Sequence, residues 1–90
     1  RSAEARAAER RRRDLELRRD LATAAIEQAE RRIEVIDGRF CGDGFFESTP
    51  AHAVRALQEE QQGLRSKVQE LLAEWEAIEG ELEGLSTQAE

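Results

Sequence analysis

The sequence predicts an all-α chain folded as an antiparallel two-helix coiled-coil hairpin, and three observations carry the prediction. Two stretches repeat apolar residues at alternating steps of three and four, as a helix with one buried stripe requires. A glycine-rich segment holding the single proline separates them. The composition, 38% charged and 39% hydrophobic with one Trp and no Tyr or Met, is that of long helices with a narrow apolar seam. Such a chain of 90 residues has room for only a thin core, so marginal stability is expected.

The first helix places Leu15, Ala22, Ala29 and Ile36 at heptad position d, and Arg12, Arg19, Ile26, Ile33 and Phe40 at position a. Arg12 and Arg19 interrupt the apolar run, so the seam is expected to be strong only from Ala22 onward. Residues 1–14 read as a basic linker or exposed helical extension, and residues 15–90 as the hairpin, with the first helix ending at about residue 38. The chain opens on Arg1 rather than methionine, which suggests a domain excised from a larger protein.

The turn is expected over residues 39–49. Gly38, Gly42 and Gly44 permit positive φ and stop the first helix at Gly38 or a few residues later. Ser48 or Thr49 is placed to cap the second helix, with Pro50 in its first turn, where a missing amide hydrogen costs nothing. Phe40, Phe45 and Phe46 gather at this end. Phe40 and one of the other two are expected to plug the seam, leaving the third as a contact for a partner.

The second helix, about residues 50–85, has the cleaner pattern. Val54, Gln61, Val68, Trp75 and Leu82 fall at a, and Leu57, Leu64, Leu71, Ile78 and Leu85 at d. Reversal near residue 47 sets Ile36 against Leu57, Ile33 against Gln61, Ala29 against Leu64, Ile26 against Val68 and Ala22 against Leu71. Trp75 then lies between Ala22 and Arg19, whose guanidinium is expected over the ring, worth about 0.5–2 kcal/mol. Gln61, the polar residue in this seam, is placed to pin the register.

Charge and motifs narrow the function classes. No Gly-x-x-x-x-Gly-Lys-Ser phosphate loop and no paired His/Cys or His/Glu spacing occurs, and Asp43 lacks the alternating oxygen ligands of a calcium loop. His52 in the second helix and Cys41 in the glycine-rich turn have no buried shell to hold them as a catalytic pair. The chain therefore reads as non-catalytic, with no metal site. One cysteine excludes an internal disulfide framework, and a reducing, cytoplasmic setting is expected. No apolar stretch is long enough to span a membrane.

Arg10, Arg11, Arg12 and Arg13 form a run followed by Arg18 and Arg19, which makes this end the candidate phosphate contact. Acidic residues dominate from residue 51 onward, where only Arg55, Arg65 and Lys67 oppose them, and the formal net charge is −6. Local ion pairs on a solvated helix explain the arginine run about as well. Exposed apolar positions at Leu17, Leu21 and Val35 offer a different use, a face that meets another copy in a four-helix bundle.

The paired aromatics Phe45-Phe46 in the turn, the Pro50-x-x-x-Val54 start and the segment Leu72-Ala73-Glu74-Trp75-Glu76-Ala77-Ile78-Glu79 resemble the C-terminal coiled-coil domain of ABC-F type ATP-binding cassette proteins, over roughly residues 15–85. The resemblance implies a cytoplasmic parent whose tandem nucleotide-binding domains, with ATP and magnesium, lie outside this chain. It also implies a hairpin that touches nucleic acid or ribosomal components, or docks on the parent's own nucleotide-binding domains. DNA-binding members would carry basic residues along the hairpin, whereas the second helix here is acidic. Only Arg10 to Arg13, Arg18 and Arg19 are available for that role.

Overall fold

Ser2 starts the first helix: its hydroxyl oxygen accepts the Ala5 amide at 3.1 Å and its carbonyl accepts the Arg6 amide at 3.1 Å, so two of the helix's first donors are satisfied. In the computed structural model, which describes residues 2–89, α1 then runs unbroken from Ala3 to Phe40. Arg1, counted with the basic end, and Glu90 lie outside the described residues. A short α2 spans Phe45–Ser48 and α3 spans Ala51–Ala89. α1 and α3 lie side by side in a rod of 68 × 18 × 15 Å. The radius of gyration is 20.0 Å, against about 12 Å for a globular chain of this size, so the core can be no more than a line between two helices.

That line follows the heptad positions. Leu15, Ala22, Ala29 and Ile36 are buried on α1, and Val68, Leu71 and Ile78 on α3. The other a and d positions, among them Ile26, Ile33, Leu57, Leu64, Trp75 and Leu82, are half-buried. Leu15, Ile36 and Ile78 are the most enclosed, at 0%, 0% and 2% exposure. Each contributes about 1.5–3 kcal/mol by leaving water, whereas the alanines contribute chiefly by letting the helices approach.

The burial of Leu15 corrects the expected weak start of the seam. Arg12 and Arg19 do occupy the inward positions, but they do not break the stripe. Their stems lie half-buried against α3 while their guanidinia reach out, Arg12 to Glu9 at 3.3 Å and Arg19 to Glu79 at 3.4 Å. Arg19 therefore spends its charge on carboxylates rather than over the Trp75 ring. The stretch read as a linker or extension is helical from Ala3, and Arg11 ties it across the seam to Glu81 at 2.7 Å. Both long helices exceed the expected length, at 38 and 39 residues, or about 57–59 Å each.

Two cross-seam pairs fix the register. Arg11 meets Glu81, and Arg32 meets Glu60 through a two-bond fork of 2.7 and 2.9 Å. The pairs lie three heptads apart on each helix, in opposite chain directions, as an antiparallel seam without slippage demands. All four residues occupy the g position, and antiparallel coiled coils bring g opposite g. On the other flank the Gln61 side-chain amide donates to Asp37, which also faces Arg65 at 3.6 Å. The polar seam residue is thus held by a partner on the opposite helix.

At the turn, the Cys41 amide returns to the Asp37 carbonyl and the Gly42 amide to the Arg39 carbonyl, both at 3.1 Å, closing α1. Among the described residues Gly44 alone takes a positive φ, 72°, and it starts α2. Ser48 does not cap α3. Its hydroxyl donates to the Gly44 carbonyl at 2.7 Å and closes α2 instead. Pro50 sits just ahead of α3, its carbonyl accepting the Ala53 and Val54 amides at 3.0 and 3.1 Å.

Candidate interaction surfaces

Each surface that the sequence singled out takes its character from which side of the two-helix rod it occupies. The arginine end is largely engaged with the chain's own carboxylates. Arg11 pairs with Glu81 and, at 3.4 Å, with Asp14. Arg12 and Arg13 share Glu9, and Arg19 is bracketed by Asp20 and Glu79, each at 3.4 Å. Desolvation acts to lower the Arg19 pKa, but the hydrogen bonds to Glu79 and Asp20 outweigh it and hold the group more firmly charged. Arg10 and Arg18 are exposed and make no ion pair among the described residues.

Folding α3 back beside this end changes its field. The glutamates from Glu70 to Glu83 are brought alongside the arginines of α1, and together with the acids of α1 itself they outnumber them. A stretch that is basic in the sequence becomes part of a net acidic surface. Arginine is densest locally in a shallow cleft of 240 Å³ along α1, lined by Arg6, Arg10 and Arg13 together with Glu9, which pairs with Arg13 at 3.7 Å.

The tip is aromatic. Phe40, Phe45 and Phe46 touch one another, with ring centroids 5.7, 5.7 and 5.2 Å apart, and the Arg39 guanidinium sits 5.7 Å from the Phe45 centroid. Phe40 and Phe45 are half-buried in this cluster, while Phe46 is 53% exposed. His52 and Cys41 are both exposed. Among the described residues no group of three or more His, Cys, Asp or Glu gathers to hold a metal ion, and no helix is long and apolar enough to cross a membrane.

Along the outside of α1 lies a second stripe at steps of four and three: Leu17, Leu21, Ala24, Gln28, Arg31 and Val35. Leu17, Leu21 and Val35 are 60%, 62% and 52% exposed. One flank of the stripe carries Asp20, Glu27 and Glu34, and the other carries Arg18, Arg32 and Arg39.

A groove of 580 Å³ runs between α1 and α3 on the flank where Gln61 meets Asp37. Ile33 and Val68 form its floor, Glu30, Glu34 and Asp37 its α1 rim, and Gln62, Ser66 and Gln69 most of its α3 rim. The heptad pattern of the seam does not mark it. The available signal was the residue type at the positions flanking the seam, acidic on α1 and amide-rich on α3. No family model, no curated protein and no solved structure matches this chain.

Proposed function

We propose that this chain is a non-catalytic protein-interaction hairpin whose α1 outer face docks on a second copy of itself. The observation that carries this reading is the exposure of Leu17, Leu21 and Val35 at heptad spacing on a face that α3 does not cover. Flanking charge favours self-pairing in the parallel sense. Antiparallel pairing would set the acidic flank against itself and the arginine flank against itself. Parallel pairing sets Glu34 against Arg39 of the second copy, and Glu27 beside its Arg32, whose guanidinium is already held by Glu60 within that copy. Each half-exposed aliphatic gains about 1 kcal/mol on burial. Association entropy opposes this by about 4 kcal/mol or more, and Gln28 and Arg31 interrupt the stripe, so the dimer is weak.

Sedimentation across a concentration series tests the reading. Self-association that is lost in Leu17→Glu plus Leu21→Glu, with helicity retained, supports it; a wild-type monomer at every concentration defeats it.

The second reading is the accessory domain of an ABC-F type ATPase, cytoplasmic, touching ribosome or nucleic acid, with ATP and magnesium held outside this chain. The exposed Arg10 and Arg18 and the Arg6, Arg10 and Arg13 cleft favour it, and the free, exposed Cys41 suits a reducing compartment. It requires binding to duplex DNA or structured RNA that weakens with salt and with Arg10→Ala plus Arg13→Ala.

A further inference from the structure

The groove between α1 and α3 has the chemistry of a docking site for a third helix, and we infer that it accepts a basic amphipathic helix. Its floor is apolar and incompletely covered, since Ile33 is only half-buried, and the apolar strip continues past the groove through half-buried Ile26 on α1 and through Leu72, one turn beyond Gln69 along α3 and 37% exposed. A two-helix seam leaves such a strip on either side, and a third helix laid along it completes a bundle.

Charge selects the occupant. The α1 rim presents Glu30, Glu34 and Asp37, and Glu27 continues their spacing of three and four past the groove; of the four only Asp37 is paired within the chain, with Gln61 and Arg65. Glu27, Glu30 and Glu34 are exposed and make no ion pair among the described residues. Arg65 is the one cation on the rims, and it is already committed to Asp37. The α3 rim offers uncharged Gln62, Ser66 and Gln69. A helix with leucine or isoleucine on its inner face and lysine or arginine along one edge would satisfy both rims. One with glutamate there would meet three uncompensated carboxylates.

This site stands apart from self-association, which uses the outer stripe of α1. Glu34 borders both surfaces, as does Glu27 where the strip continues past the groove; Glu30 belongs to the groove alone.

The test is a titration of the isotope-labelled full chain, followed by amide chemical shifts, with three synthetic peptides of roughly 15 residues. The first is an amphipathic helix of leucine, alanine and lysine. The second has the same composition scrambled to destroy the apolar face. The third replaces lysine with glutamate. The expected result is that the first binds with shifts centred on residues 26–37 and 61–72. The other two should bind at least about tenfold more weakly, and Glu30→Gln, which leaves helicity unchanged, should weaken the first about two- to fivefold. Equal binding of the scrambled peptide would reduce the effect to bulk charge and overturn the inference. So would shifts centred on the outer stripe or the arginine end, or no binding of the first peptide at millimolar concentration. Sedimentation of the peptide-free chain reports separately on self-association.

Discussion

Replacing glycine with alanine should stabilise this hairpin at three positions inside α3 and destabilise it at one in the turn, and the structure determines the sign at each. Gly63, Gly80 and Gly84 lie inside α3, and a Cβ added at any of them meets nothing within 4 Å beyond the helix's own adjoining backbone. None has a positive φ. Alanine therefore fits without strain, and the gain is the backbone entropy that glycine loses on entering a helix, about 0.5–1 kcal/mol at each site. The three together give about 1.5–3 kcal/mol, or about 6–24 °C in Tm for a domain of this size. Gly44 is the opposite case: its φ of 72° is a region that alanine adopts at a cost of about 1–2 kcal/mol. Thermal melts followed by far-ultraviolet circular dichroism, at one fixed protein concentration because self-association shifts Tm, measure both effects. A fall in Tm for Gly63→Ala or Gly80→Ala would mean that those faces of α3 are covered and the helix pairing is wrong. A rise for Gly44→Ala would mean that the turn is built differently.

Other consequences are sharper at single sites. Leu15→Ala removes a fully enclosed side chain and should cost about 2–5 kcal/mol, as much as Ile36→Ala; a change under about 0.5 kcal/mol in urea melts would contradict the continuous seam through the N-terminal half of α1. Ile78→Asp or Leu71→Asp should abolish cooperative melting, since either sets a charge in the stripe with no partner. Gln61→Leu exchanges a hydrogen bond worth about 0.5–1.5 kcal/mol for apolar burial worth about 1.5–3 kcal/mol. Its Tm should rise, and a lower Tm would show that the Asp37 contact outweighs the seam.

The Arg32 hydrogen bonds hold the Glu60 carboxyl below its ordinary range, and the same hydrogen bonds raise Arg32. A carboxylate pKa that is lower in the folded state stabilises above the ordinary glutamate range, and this is lost as pH falls through that range to the folded value. The Tm difference between wild type and Glu60→Gln should therefore be present at neutral pH, shrink with added salt because both partners are about two-fifths exposed, and close in acid. A difference that persists unchanged in acid would assign it to packing.

The seam was legible because heptads report a face directly. Leu15, Ala22, Ala29 and Ile36 are the d positions of the first helix, and all four are buried. The destinations of long polar side chains were not. Arg12 and Arg19 look like breaks in a stripe because the pattern registers residue type, while snorkelling depends on which carboxylates stand within reach. The same limit concealed the acidic character of the arginine end, which exists only once α3 lies beside it. Asp37 was invisible as a partner for Gln61 because the two are distant in the chain and meet across the seam. At the turn the glycines marked the reversal but not its form. Among Gly38, Gly42 and Gly44 only the last uses its freedom, and α2 is too short to show a period. The groove follows from the residues flanking the seam and becomes a shape only when the two rims are opposed.

The most direct test is the distance between spin labels at Ala7 on α1 and Ser86 on α3, in a Cys41→Ser background diluted with unlabelled chain. Helices folded back on each other at an axial spacing of about 8–10 Å should give a single short distance, lengthened only by the label arms and insensitive to dilution. Labels separated by more than the 68 Å long axis, or a short distance that vanishes on dilution, would mean an extended or exchanged arrangement and would contradict the hairpin on which both interaction surfaces depend.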